Sequence, residues 1–181
     1  MRIIAGIHRS RKLITLPGSS TRPMTDRMKE TIFNIIGPYF DGGVSLDLFG
    51  GSGALTLEAI SRGISHAFIF DINHLAINVI KENINSLKET DKVDVLQLDY
   101  KEALRRIKNL KFDLIFLDPP FRLNIINEII NFILENDMLK TKGIIVCQYI
   151  RGNLLPVKEL TLLKQQISAI NEFSIYQKQE E

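Results

Sequence analysis

The sequence predicts an α/β protein built on a doubly wound, mostly parallel sheet of seven strands, and three observations predict it. Apolar runs of strand length alternate with helical patterns from residue 44 to residue 149, the order that winds a parallel sheet. One such run, Val44-Ser45-Leu46-Asp47-Leu48-Phe49, enters the glycine cluster Gly50-Gly51-Ser52-Gly53 and then a helical pattern from Ala54, the opening of a nucleotide-binding βα unit. Four successive runs carry an aspartate at or beside the end: Asp47, Asp71, Asp99 and Asp118. Those positions are the carboxyl ends of strands, where open α/β sheets bind ligands.

The elements follow in order. Short hairpin strands are expected near residues 2–5 and 12–16, then a helix over 26–36 stopped by Gly37-Pro38. Strand 44–49, helix 54–62 ended by Gly63, strand 67–71 and helix 74–87 come next, with Asn73 as the N-cap of the last. Strand 93–98, helix 101–108, strand 113–117, helix 124–135 and strand 143–149 complete the alternation. The apolar positions Leu160, Leu162, Leu163 and Phe173, Ile175, Tyr176 mark two further strands, an antiparallel edge. No internal repeat or long linker divides the chain, so residues 1–181 form one domain. A chain of that length buries roughly 70% of the surface its unfolded form exposes, enough for a core without staples.

Composition points to a cytoplasmic enzyme. The single cysteine, Cys147, sits in the apolar run 144–147 and reads as a buried strand residue. No apolar stretch of about 20 residues and no leader pattern indicates a membrane span or export. The net charge of +2 hides an asymmetry. Residues 1–29 hold Arg2, Arg9, Arg11, Lys12, Arg22, Arg27 and Lys29 against Asp26 alone, a balance of +6, and the remainder carries −4. Residues 1–25 therefore read as a basic arm that contacts nucleic-acid phosphates. His8 is expected to face phosphate, His66 and His74 to serve surface or capping roles, and Lys29 with Glu30 to form a helix-surface pair.

The strand tips carry the chemistry. Asp118-Pro119-Pro120-Phe121 follows the run 114–117, and its two prolines fix φ near −65° and hold Asp118 out of the α region. A carboxylate, a constrained carbonyl and an aromatic ring in that order suit a flat, amine-bearing ring. At the glycine cluster the dinucleotide pattern G-x-G-x-x-G fails, because Thr56 stands at the third glycine position, and no phosphate loop is present. Asp47 would repel a pyrophosphate but suits the ammonium and sulfonium of S-adenosylmethionine. Asp71, 24 residues beyond Asp47, is placed for ribose hydroxyls, and Asp99 for an adenine amino group. Gly51 and Gly53, with Phe49, Ile72 and Tyr100 beside these tips, complete the expected cofactor site. No metal site is expected. Asp113 falls at the opposite end of its strand and is assigned no catalytic part.

Asp47-Leu-Phe-Gly-Gly-Ser-Gly, Asp71, Asp99 and Asp118-Pro-Pro-Phe resemble the ordered motifs of class I S-adenosylmethionine-dependent methyltransferases, and Asp-Pro-Pro-Phe is typical of members that methylate exocyclic amines of bases. Met1-Arg-Ile-Ile-Ala-Gly6, Arg11-Lys-Leu13 and the segment from Arg22 to Asn34 resemble the opening of the bacterial small-subunit (16S) ribosomal RNA guanine-N2 methyltransferase, subtype D. The likeness runs from Met1 to about Gly143, departing at Met24, where the family usually has threonine, and at Gly50, often alanine, a difference expected to matter little. The resemblance implies a Rossmann-like methyltransferase fold whose last strand inserts antiparallel, S-adenosylmethionine as cofactor, and 16S rRNA in an assembled small subunit as partner of a monomeric enzyme. The chemistry of an amine acceptor places Asp118, Pro119 and Phe121 in catalysis with Pro120 beside the substrate, the charge of the arm places Arg2, Arg9, Arg11 and Lys12 on substrate, Arg122 next to Phe121 is expected to meet a phosphate, and the resemblance adds Arg22, Thr25 and Asn34 at the substrate or the cofactor's far end. Asp-Pro-Pro-Phe alone recognises an amine without naming its ring, so adenine N6 or a protein glutamine stays open, as does a non-catalytic RNA-binding assembly factor on the same fold.

Overall fold

The computed structural model describes residues 1–16, 25–152, 157–167 and 171–180, Phe121 and Asn171 by their backbone alone. Seven strands, β1 (Val44–Asp47), β2 (His66–Asp71), β3 (Val93–Gln97), β4 (Phe112–Leu117), β5 (Leu139–Ile150), β6 (Leu160–Ile167) and β7 (Asn171–Lys178), form one sheet in the order β3-β2-β1-β4-β5-β7-β6. Neighbours from β3 to β5 pair parallel. β7 lies antiparallel between β5 and β6, the insertion expected of the family.

Alternation along the strands sorts the core into two layers. Leu46, Ile115, Leu117, Ile145 and Cys147 face α4 (Tyr100–Ile107) and α5 (Ile126–Glu135). Ala67, Ile69, Leu114, Phe116 and Val146 face α1 (Asp26–Ile36), α2 (Ala54–Ser61) and α3 (His74–Leu87). Each fully buried Ile, Leu or Phe here stabilises the fold by roughly 1.5–3 kcal/mol. No helix among the described residues is long and apolar enough to cross a membrane.

Several boundaries differ from expectation, β5 beginning at Leu139 rather than at 143 among them. β1 stops at Asp47 rather than Phe49, because the Phe49 N–H turns back onto Asp47 Oδ1 at 3.1 Å. The helix expected over 124–135 starts two residues late: a 3-10 turn spans Phe121–Leu123, Asn124 adopts φ 43°, and α5 runs from Ile126 to Glu135. The hairpin strands near the N-terminus reduce to a single bridge, Arg2 to Lys12, since the backbone between turns through positive φ at Gly6 and Ser10.

That N-terminal segment is a strap laid across the α1–α3 layer rather than a projecting arm. Ile3 and Leu13 are buried in the core. The Ile4 and Ala5 N–H groups donate to the two oxygens of Glu58, at 2.8 and 3.0 Å. Gly6 approaches so closely that a Cβ there would fall 1.8 Å from the Ser61 carbonyl oxygen. Glu58 also pairs with Lys29 Nζ at 3.1 Å and Arg62 Nε at 2.8 Å, all three side chains buried. Lys29 is thus no surface partner of Glu30: it lies at 1% exposure, donates to the Arg2 carbonyl, and its ammonium is pushed below its ordinary pKa by desolvation against the pull of Glu58. His8 likewise turns inward, its Nε2 at 2.6 Å from Glu89 Oε1. Asn83 closes the strap, accepting from the Ile14 N–H and donating to the Ile14 and Ser52 carbonyls.

Candidate active site

The parallel strands deliver three carboxylates to one edge of the sheet. Asp47 ends β1, Asp71 ends β2, and Asp118 follows β4. Asp47 is 3% exposed and receives the Phe49 N–H on Oδ1 and the Thr56 hydroxyl on Oδ2, at 3.1 and 3.2 Å. No cation pairs with it among the described residues. Burial pushes its carboxyl up to about 7; the two hydrogen bonds pull it down, and the nearby Asp118 and Asp71 charges raise it further. Asp118 is exposed, yet desolvation by the surrounding protein pushes its carboxyl up to about 6, so it is largely ionised at neutral pH.

Between these tips lies the glycine turn. Gly51 and Gly53 take φ of 57° and 77°, a left-handed backbone open to glycine at little cost. The Gly53 N–H closes onto the Gly50 carbonyl at 2.7 Å. Asp71 holds the turn from outside, accepting the Gly51 N–H on Oδ2 at 2.9 Å and the Asn73 N–H on Oδ1 at 2.8 Å. Each oxygen keeps a second lone pair for a ligand hydroxyl. Gly50 is not interchangeable with alanine here: its Cβ would lie 2.4 Å from Ile69 Cγ2 and 2.8 Å from Ile80 Cδ1.

The remaining expected cofactor residues border the same edge. Asp99 caps α4, accepting the Lys101 N–H on Oδ1 at 2.9 Å. The rings of Phe49 and Tyr100 stand 5.9 Å apart at a tilt of 39°, and Ile72 is 68% exposed beside Asp71. A cradle of left-handed glycines under a buried carboxylate without a cation fits a ligand carrying positive charge, and the flanking rings and Ile72 fit a flat apolar one.

The expected substrate residues are spread more widely. Pro119 is buried and Pro120 exposed at φ −53°, holding Asp118 in an extended lead-in. Arg9, Lys12, Asn34 and Arg122 are exposed. Arg2 pairs with Asp26 at 3.0 Å, Arg11 donates to the Ser86 carbonyl, and Thr25 caps α1 by accepting the Met28 N–H at 3.2 Å. Arg22 and the side chain of Phe121 lie outside the described residues. Asp113 sits at the far end of β4, bound to the Val44 N–H and Lys140.

Residues 1–177 match the family model described as conserved hypothetical protein 95. The ribosomal RNA small subunit methyltransferase D of Haemophilus influenzae is 35% identical over 180 residues, 98% of this chain and 93% of that one. The chain belongs to this family. The Bacillus subtilis protein named as the rRNA methyltransferase YlbH is 40% identical over 98% of this chain and 99% of its own. The solved structure of yhhF from Escherichia coli superposes with a TM-score of 0.88 at 32% identity, covering 100% of this chain and 99% of that one. This site thus sits in a fold shared with that structure. Sequence reasoning missed two supports of it. Thr56 was visible as the departure from the third glycine, and Asn83 as a polar residue on the apolar face of α3.

Proposed function

We propose that this protein transfers a methyl group from S-adenosylmethionine to the exocyclic N2 of a guanine in 16S rRNA of an assembled small subunit. One observation carries the reading: a buried carboxylate without a cation, Asp47, above a left-handed glycine turn and beside the cleft carboxylate Asp118. The names of the relatives, which are ribosomal RNA small subunit methyltransferases, agree with it.

When bound, S-adenosylmethionine supplies an electrophilic methyl on a sulfonium. Asp47, with Gly51 and Gly53, holds the cationic end, Asp71 takes the ribose hydroxyls, and Asp99 the adenine amine between Phe49, Ile72 and Tyr100. Asp118 and the Pro119 carbonyl accept the two N–H groups of guanine N2, which favours a pyramidal nitrogen whose lone pair is aimed at the methyl. The amine nitrogen would take the methyl that the sulfonium gives up as a neutral thioether, and the Asp118 carboxylate would accept the proton the amine sheds and pass it to water. Positioning and aligned acceptors supply most of the acceleration. Phe121 stacks on the base and Pro120 borders it, while Arg122, Arg9, Arg11 and Lys12 meet phosphates, joined by Arg2 on the strap, by Thr25 and Asn34 at α1, and by Arg22. The protein acts as a monomer in the cytoplasm.

The test is transfer of a labelled methyl to unmodified small subunits and, in parallel, to their naked RNA, followed by nucleoside analysis. N2-methylguanosine on the subunit is expected. N6-methyladenosine would sink the guanine assignment, and no transfer to either would sink the ribosomal one.

A further inference from the structure

β4 and β5 run parallel with Leu117 opposite Cys147, so the next residues are neighbours, Asp118 just past the end of β4 and Gln148 two residues before the end of β5. Both continue the face of Leu114, Phe116 and Val146, the α1–α3 side on which Asp47 also lies. Side chains so placed on adjacent strands stand about 5 Å apart. On its other flank Gln148 is opposite the buried Phe173 of β7. Gln148 is half-buried and borders the notch lined by Pro119 and Pro120, and its side chain makes no hydrogen bond to another described residue. A carboxamide offers one acceptor and two donors, and leaving these unpaired in a half-buried place is unfavourable unless a ligand completes them.

We propose that Gln148 reads the ring edge next to the amine that Asp118 holds and thereby selects guanine. The inference rests on the function proposed above and adds a specificity residue to it. Next to its amine, guanine presents the N1–H and then O6. The carboxamide meets both, Oε1 accepting from N1–H and Nε2 donating to O6. Next to its amine, adenine presents bare N1 and then C2–H, so only the donor end is used and the acceptor is stranded. A protein glutamine presents neither. A site that leaves one polar group unpaired with the wrong ligand discriminates by roughly tenfold to a hundredfold.

The experiment compares guanosine with 2-aminopurine at the methylated position of reconstituted small subunits, once nucleoside analysis has located it. 2-Aminopurine keeps the reacting amine but has an unprotonated N1 and no O6. Gln148→Ala is expected to lower kcat/KM on guanosine and leave 2-aminopurine nearly untouched, shrinking the preference by about tenfold or more, with S-adenosylmethionine affinity unchanged by calorimetry. Gln148→Met, which keeps the length without the hydrogen bonds, gives the same result if alanine disturbs the fold. Equal losses on both substrates would mean that Gln148 only supports the Pro119-Pro120 turn, and would overturn the inference while leaving the proposed function standing. Failure of the unaltered enzyme to form N2-methylguanosine at all would overturn both.

Discussion

Replacing Asp47 with asparagine is expected to make the ligand-free protein more stable at neutral pH while destroying its affinity for S-adenosylmethionine. The carboxyl is pushed from 3.8 in the unfolded chain up to about 7 in the fold, chiefly by burial. A carboxyl raised on folding keeps its proton in the native state after the unfolded state has lost its own, so stability declines as pH climbs from about 4 to about 7 and is flat above. At 1.36 kcal/mol per pKa unit the ionised group costs on the order of 4 kcal/mol at pH 8, and about 3 kcal/mol of that develops between pH 5 and pH 8. Asparagine carries no such dependence and keeps the local bonds: its Oδ1 accepts the Phe49 N–H, and its Nδ2 donates to Thr56, whose hydroxyl now points to Asp47 Oδ2. Urea unfolding of both proteins at pH 5 and pH 8 measures the effect. The stability gap in favour of Asp47→Asn should widen by about 3 kcal/mol between the two pH values, and calorimetry should find cofactor binding lost. A gap that stays the same at both pH values would refute the claim that Asp47 is held as an uncompensated charge.

Other perturbations separate the parts. Asp118→Ala should reduce turnover by roughly 10²–10³-fold, the usual loss for a positioned polar group at the reacting centre, with the cofactor dissociation constant nearly unchanged; equal losses in both would remove it from the amine site. Because only the ionised Asp118 can take up the proton that the methylated amine sheds, kcat/KM should rise with pH to a plateau above about 6, a limb absent in Asp118→Asn. Gly50→Ala should destabilise by about 1–3 kcal/mol through overpacking, and the double variant with Ile69→Ala should cost less than the two singles summed in urea unfolding, since Ile69 Cγ2 is the atom struck first. Glu58→Gln should cost about 3–5 kcal/mol by leaving Lys29 and Arg62 buried without their anion, and limited proteolysis should then cut within residues 1–16 before the rest of the domain.

The central alternation was legible because period and punctuation agreed. α1 and α3 begin and end where expected, with Thr25 or Asn73 supplying the cap and Gly37 the stop of α1. The strand tips were legible because parallel strands must place their carboxyl ends on one edge, so Asp47, Asp71 and Asp118 converge whatever the details of packing. What escaped was everything set by contacts distant in sequence. Residues 1–25 read as a basic arm, and how its first part is held could not be read, because Glu58 sits more than fifty residues from the Ile4 and Ala5 amides it binds and no local pattern couples them. Lys29 looked exposed because lysine usually is; the neighbouring carboxylate that permits its burial comes from α2. Gly50 looked neutral because the Ile69 and Ile80 side chains that fill its Cβ space arrive from β2 and α3. Gln148 carried no motif at all, and only the β4–β5 register brings it beside Asp118.

Two buried carboxylates in the same layer show how surroundings rather than residue type divide structure from function. Glu58 is saturated, taking two strap amides and two cations, so its charge is spent on the protein itself and ties residues 1–16 to α1 and α2. Asp47, at the end of the adjacent strand β1, has two hydrogen bonds and no cation. A chain that can surround one carboxylate with Lys29 and Arg62 is capable of neutralising a second, and selection for stability alone would favour doing so. The positive charge missing at Asp47 is therefore left for a ligand, and the stability forgone in its absence returns as binding free energy when that ligand arrives. The Asp47→Asn comparison above measures both halves of this exchange in one protein.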